Sequence, residues 1–299
     1  MRIVNIAGGL GNQMFQYAFA LMLKQHYPDE QVMVDISHYN SLMFKRFGSI
    51  NLHNGYEIEK VFPHATLPVA QPGDLRRVTR YIPNYVLSRL ARRFLPRKST
   101  EYVASYKENF TVMEDVFREG DTYYEGYWQS AGYYQSIKPL LRHTFAHPTP
   151  NAYNAALISQ AESCDSVGIH VRRGDYKSAP DFNGICTTGY YAKAIAHLTA
   201  DGRRRTFFVF SNDLAWCRAN LPALTQGHEA VYVDGNRGSD SCWDMFLMTH
   251  CQELIIANST FSWWGAFLNH GEGDICTPDP WLHRDCPIHI YDPQWVRIN

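Results

Sequence analysis

From residue 166 onward the chain alternates strand-sized apolar runs with helix-sized amphipathic ones. That alternation restricts the fold more than any single motif. Residues 166–172, 206–210, 230–233, 253–257 and 274–277 read as strands, and 189–198, 214–221, 240–250 and 261–269 as helices. Successive strands separated by helices of this length pair in parallel, because the crossover returns the chain to the same edge. The expectation is a doubly wound α/β sheet.

The first half opens the same way. Residues 2–6 form a short β-branched run, Gly8-Gly9-Leu10-Gly11 a turn, and 12–27 a helix with Phe15, Ala18, Phe19, Met22 and Leu23 at helical spacing. Residues 31–36 follow as a second strand, completing a β-α-β unit. The pattern is weaker from 40 to 120. It returns as a strand over 122–128 and a helix over 130–145. His147-Pro148-Thr149-Pro150-Asn151 then breaks the chain. We therefore divide it into domains 1–150 and 151–299, a split that 299 residues accommodate.

The charges, 28 Lys and Arg against 29 Asp and Glu, leave a formal net of −1. That argues against a nucleic-acid partner. The neutrality is an average: residues 1–150 carry 17 basic and 13 acidic side chains, residues 151–299 carry 11 and 16. There is no apolar run long enough for a transmembrane helix and no signal-like N-terminus. All seven cysteines follow residue 160, with no CxxC pair, as expected of thiols in a reducing cytoplasm. Residues 76–98 hold Arg76, Arg77, Arg80, Arg89, Arg92, Arg93, Arg97 and Lys98, with no acidic residue from 75 to 100. Aromatic and aliphatic residues interleave with them. This reads either as a solvated helical face or as a peripheral contact with anionic membrane.

Open α/β sheets bind ligands at the carboxyl ends of their strands. Three such ends in the second half carry polar clusters. His170-Val171-Arg172-Arg173-Gly174-Asp175-Tyr176 offers a guanidinium fork suited to phosphate, or a structural Arg–Asp pair. In Ser211-Asn212-Asp213 the aspartate either caps the next helix or meets a ligand. Asn258-Ser259-Thr260-Phe261-Ser262 opens a helix whose N–H groups and hydroxyls make an anion site, or a plain cap by Ser259 or Thr260. Their convergence on one sheet edge favours a diphosphate.

Gly9-Leu10-Gly11-Asn12-Gln13-Met14 imitates a dinucleotide fingerprint, and Asp35 stands about twenty residues on, but Met14 replaces the third glycine. A Rossmann oxidoreductase and a glycan-binding protein stacking sugars on Tyr127, Trp128, Trp263 and Trp264 are the competing classes. For Trp263 and Trp264, core packing is the preferred reading. No P-loop, HExxH, GxSxG or DxD occurs.

Gly8 to Tyr17, His170 to Tyr176 and Ser259 to Gly265, with Tyr127-Trp128-Gln129-Ser130 and Phe210 to Asp213, resemble the α-1,2-fucosyltransferases of glycosyltransferase family eleven. The resemblance spans nearly the whole chain. It implies a GT-B-like architecture of two Rossmann-like domains with parallel sheets facing a central cleft. The N-terminal domain would lie on the acceptor side and the C-terminal one would bind GDP-fucose. The implied reaction is inverting transfer of L-fucose to the 2-hydroxyl of a terminal galactoside. No metal or cofactor is expected, and GDP-fucose enters as a substrate.

The resemblance also implies roles. Arg172 corresponds to the arginine gripping the β-phosphate, with Arg173, Asp213, Asn258, Ser259, Thr260, Phe261 and Ser262 on the donor side. His170 contacts the nucleotide, and Asp244 accepts from guanine N1–H and N2–H. Asn12 and Gln13, with Trp128 and Gln129, face the acceptor or cleft. The proton of the acceptor hydroxyl goes to Asp175 or Asp181, or leaves late as GDP departs.

Overall fold

The computed structural model describes residues 1–40 and 54–299. They form two compact units, Met1–Ala146 with Pro287–Ile290, and His147–Cys286 with Tyr291–Asn299. Each is built on one parallel sheet.

In the first unit the sheet contains β1 (Arg2–Asn5), β2 (Val32–Asp35), β3 (Glu101–Val103) and β4 (Thr122–Glu125), in the order β2-β1-β4-β3. All pairs are parallel, with Arg2 opposite Val32 on one side and Thr122 on the other. Every residue of β1 and β2 is buried, so neither strand alternates, as befits a parallel sheet covered on both faces. Helix α1 (Leu10–His26) covers it with Met14, Phe15, Ala18 and Phe19. Chain order reverses between β1 and β4, which is the switch point where such sheets take ligands.

After short helical turns at Ser37–Asn40 and Ile58–Val61 come α2 (Pro72–Val78) and α3 (Tyr85–Phe94). Asn84 caps α3 by accepting from the Leu87 N–H at 3.2 Å. The inner face of α3 is Tyr85, Ser88 and Arg92, and its outer face, Leu87, Leu90 and Phe94, lies exposed. Residues 130–145 are not one helix. They form two 3₁₀ turns, Ala131–Tyr133 and Gln135–Ile137, before α4 (Lys138–Thr144). Pro139 explains this: it lacks an N–H and fits only the first turn of a helix.

The second unit has six parallel strands: β5 (Ser166–Val171), β6 (Thr206–Ser211), β7 (Glu229–Tyr232), β8 (Glu253–Ile255), β9 (Ile275–Pro278) and β10 (Val296–Ile298). Their order is β10-β9-β8-β5-β6-β7, so the switch point lies between β5 and β8. The helices are α5 (Ala152–Glu162), α6 (Thr188–Leu198), α7 (Leu214–Asn220), α8 (Cys242–Thr249) and α9 (Thr260–Phe267). Ile169, Val171, Phe207, Val209 and Ile255 pack with Tyr190, Tyr191 and Ala194 of α6 into one core. Trp263 and Trp264 are fully buried, Trp263 stacked on Phe267 at 4.6 Å, so they are core residues. Among the described residues no helix is long and apolar enough to cross a membrane.

Candidate active site

The β5–β8 switch point gathers most of the residues singled out on the donor side. β5 runs straight into Arg172, and Gly174–Ser178 follows as a 3₁₀ turn. The Nη2 of Arg172 donates to Asp175 at 3.0 Å, while its buried Nε has no partner. The guanidinium also lies over the Tyr176 ring, 5.5 Å from its centre. Tyr176 stacks on Phe182 and donates to the Asn258 carbonyl at 3.2 Å. The tyrosine thus ties the arginine loop to the strand end that precedes α9.

At the start of α9 the first intrahelical bond runs from the Trp263 N–H to the Ser259 carbonyl. The N–H groups of Thr260, Phe261 and Ser262 therefore lie ahead of the helical ladder, at the positive end of the helix dipole. Ser259 does not cap the helix with its hydroxyl. Ser262 departs from expectation. It is fully buried and its hydroxyl donates inward to the Ala257 carbonyl at 3.1 Å, so only its backbone remains for an anion. Asn258 is likewise structural: its side-chain amide donates through Nδ2 to the Trp281 carbonyl at 3.1 Å and accepts through Oδ1 from the Cys186 thiol.

His170 is buried, with Nδ1 unpartnered. Burial, then the nearby Arg172 charge, push its pKa down to about 3, so the ring stays neutral. That removes it as a proton carrier near neutral pH and leaves it a neutral hydrogen-bonding group. Asp213 caps α7 by accepting from the Trp216 N–H at 3.2 Å, and its other oxygen meets Lys177 at 3.0 Å and Arg173 at 3.4 Å. The hydrogen bond from Lys177 and then the cap hold its carboxyl below the usual range. Asp213 is thus a cap and a clamp for Arg173, whose guanidinium lies 4.2 Å over the Trp216 ring. Asp181 pairs with Arg284 at 2.7 Å.

Asp244 sits in the first turn of α8, on the same carboxyl edge of the sheet. Burial raises its pKa to about 7, against a hydrogen bond from Asn236 at 3.0 Å. Asn236 in turn exchanges amide hydrogen bonds with the buried Asn154 at 3.0 and 3.1 Å. This amide chain holds the carboxylate in place. Asn212 and Tyr176 belong to motifs visible in the sequence, whereas Asn154 and Asn236 carry no local signal.

In the first unit, Gln13 is fully buried. It donates to the Gly8 and Gly55 carbonyls and accepts from the Glu57 N–H at 2.9 Å, so its side chain braces loops. Trp128 is also fully buried, stacked on Phe19 at 4.0 Å with the rings 5° apart. The expectation that it offers an acceptor platform is corrected. Tyr127, beside it, is the exposed ring. Gln129 donates to Asn12 at 2.9 Å. Asp35 accepts from Tyr123 at 2.7 Å and from the Ser37 N–H at 2.9 Å, which occupies the carboxylate a ribose would need.

Residues 1–299 match the profile of glycosyl transferase family 11 from end to end. The chain belongs to glycosyl transferase family 11. Within that family it is similar to the Escherichia coli alpha-1,2-colitosyltransferase, 31% identical and covering 99% of this chain and 98% of that one. It is similar to the galactoside alpha-(1,2)-fucosyltransferase 2 of Rattus norvegicus, 31% identical over 58% of this chain and 53% of that one. Among solved structures, the fucosyltransferase NodZ from Bradyrhizobium is 15% identical, with a TM-score of 0.49, over 90% of this chain and 93% of that one. The topology of the family 11 chain itself, two Rossmann-like parallel-sheet units, is the GT-B-like plan.

Proposed function

We propose that this family 11 transferase moves L-fucose from GDP-β-L-fucose to the 2-hydroxyl of a terminal galactoside, with inversion and without a metal or cofactor. The carrying observation is the β5–β8 switch point, where the unpartnered Nε of Arg172 and the N-terminus of α9 share one edge. Sugar departure loads negative charge onto a diphosphate. A guanidinium fork and preorganised N–H groups stabilise that charge at fixed positions. Asp244, ionised, accepts two hydrogen bonds from guanine. The second unit is then the donor side and the first the acceptor side.

Of the two base candidates, Asp181 is paired with Arg284, and Asp175 has both its oxygens beside Arg172. It acts here as the brace of that side chain. The donor sugar is tested directly, because a similar protein is a colitosyltransferase. Initial rates with GDP-fucose and GDP-colitose, and linkage analysis of the product on lactose-type acceptors, decide it. Fucose in α-1,2 linkage is the expected outcome. Preference for colitose would replace the donor, and turnover of neither would sink the reading.

The protein works in the cytoplasm, where the outer face of α3 contacts anionic membrane peripherally. The support is an exposed apolar stripe of Ile82, Leu87, Leu90, Phe94 and Leu95, with Phe94 74% exposed, beside Arg89, Arg93 and Arg97. Arg92 takes no part, being buried against Glu125.

A further inference from the structure

The switch point of the first sheet opens into a cavity of about 600 Å³, within the range of small-ligand sites. The carboxyl ends of β1 and β4 form its floor, through Asn5, Ala7, Glu125 and Gly126. Its wall is α3 and the residues that follow it, which contribute Arg89, Arg92, Arg93 and Arg97. Against these four guanidinium groups Glu125 is the one carboxylate among the lining residues.

Glu125 neutralises only part of that charge. Its Oε2 lies 2.6 Å from Arg92 Nε, and its Oε1 lies 3.9 Å from Arg89 Nε. Arg92 is 4% exposed, yet its Nη2 is buried with no hydrogen-bond partner. A buried donor left unmatched costs stability, and such atoms ask for an explanation. A strained turn adds to this. Trp128, three residues past β4, holds a φ of +54°, a conformation rare for a bulky residue. It is pinned there by its stack on Phe19 and by the Tyr134 hydroxyl donating to its carbonyl. The turn leaves Tyr127 lining the cavity, an exposed ring of the kind that stacks on sugars.

We infer that this cavity binds an anionic group carried by the acceptor glycan, so that the enzyme selects acidic over neutral galactosides. This rests on the reading of the first unit as the acceptor side. Two sources share the chemistry: the carboxylate of an acidic sugar, and the diphosphate that links a growing glycan to its carrier. Both accept the planar fork that arginine presents.

The test compares three acceptors with one galactose terminus at low salt: a neutral disaccharide, the same sugar bearing a uronate, and the same sugar on an alkyl diphosphate. The KM of at least one anionic acceptor is expected to lie roughly tenfold or more below that of the neutral one. A fall confined to the uronate arm identifies an acidic sugar, and one confined to the diphosphate arm identifies the carrier. In the R93E/R97E variant the ratio of neutral to anionic KM is expected to collapse towards one. Both side chains are exposed, and a thermal melt checks that the variant folds. Equal KM for all three acceptors in the native enzyme, or an unmoved ratio in the variant, overturns the inference. Calorimetry of the uronate and diphosphate sugars gives a readout free of transfer. Binding lost in R93E/R97E, with no transfer to any acceptor, would uphold the cavity and sink the transferase reading.

Discussion

Both carboxylate oxygens of Asp175 lie within 3.0 Å of one nitrogen of Arg172, Nη2. The pair is partly solvated, with Arg172 28% and Asp175 57% exposed, so it contributes about 1 kcal/mol or less to stability. Its value is geometric. It fixes one corner of the guanidinium and leaves Nε, buried and unpartnered, as a donor for a ligand.

Arg172→Lys is therefore expected to lower kcat/KM for GDP-fucose by roughly 10²–10³, since a point charge cannot reproduce the fork. Asp175→Asn removes the brace alone and should retain transfer to within about tenfold. Steady-state kinetics on both variants check this. Near-normal turnover by Arg172→Lys would remove the diphosphate role. A far larger loss in a stably folded Asp175→Asn would make Asp175 the base.

Asp244 gives the pH dependence. Guanine N–H donors need the ionised carboxylate, whereas burial holds the free enzyme's carboxyl at about 7. GDP affinity should thus weaken by about tenfold per pH unit below that value and level off above it. Stability moves oppositely. The folded pKa lies above the unfolded one, so the group's penalty on the free enzyme grows as pH rises from about 4 to 7. Asp244→Asn is expected to raise Tm by a few degrees at pH 8, with little change near pH 4, and to abolish the pH dependence of GDP binding. Calorimetric GDP affinities from pH 5 to 8 and paired melts decide it. A flat affinity profile in the native enzyme would rule out Asp244 as the guanine acceptor.

Legibility followed locality. The alternation of strands and helices after residue 166 is a period carried by neighbouring residues, and most of those elements lie within two residues of their expected ends. In the second unit the sequence pattern leaves helix α5 and strand β10 unassigned, because α5 has little amphipathic pattern and β10 is three edge residues with none buried. The site divides in the same way. The arginine loop and the start of α9 announce themselves in sequence, because charge and helix polarity are local. Whether a polar side chain faces a ligand or braces the backbone is not local. Gln13 is held by Gly55 and Glu57, and Ser262 by the Ala257 carbonyl, so both read as ligands in sequence and stand as struts in the fold. Arg92 shows the same failure from the other side. It counted as one of a basic run until Glu125, 33 residues away, appeared beside it.

The outer stripe of α3 predicts membrane contact that depends on apolar side chains. Wild-type protein should co-sediment with anionic vesicles and much less with neutral ones. Replacing Leu87, Leu90 and Phe94 together with serine removes exposed apolar area only, so folding is expected to survive. The variant should lose most of its co-sedimentation. Equal binding by wild type and variant, or none by wild type, would count against the contact.

Gly174 tests how tightly the arginine loop must be held. A Cβ built there would come within 2.4 Å of the Asn212 amide nitrogen. That amide's oxygen accepts the Arg173 N–H at 3.0 Å, which links the loop to the end of β6. Gly174→Ala therefore forces Asn212 aside and releases the backbone between Arg172 and Asp175. Since the loop is exposed, the thermal cost should be small. The catalytic cost should be larger, because a misplacement of about 1 Å at a charge-stabilising group lowers rates by roughly 10²-fold. Kinetics are expected to show a drop in kcat/KM for the donor with Tm nearly unchanged. Adding Asn212→Ala makes room for the new methyl but cannot restore the lost hydrogen bond, so only partial recovery is expected. Full activity in Gly174→Ala alone would mean that the loop finds its working geometry without Asn212.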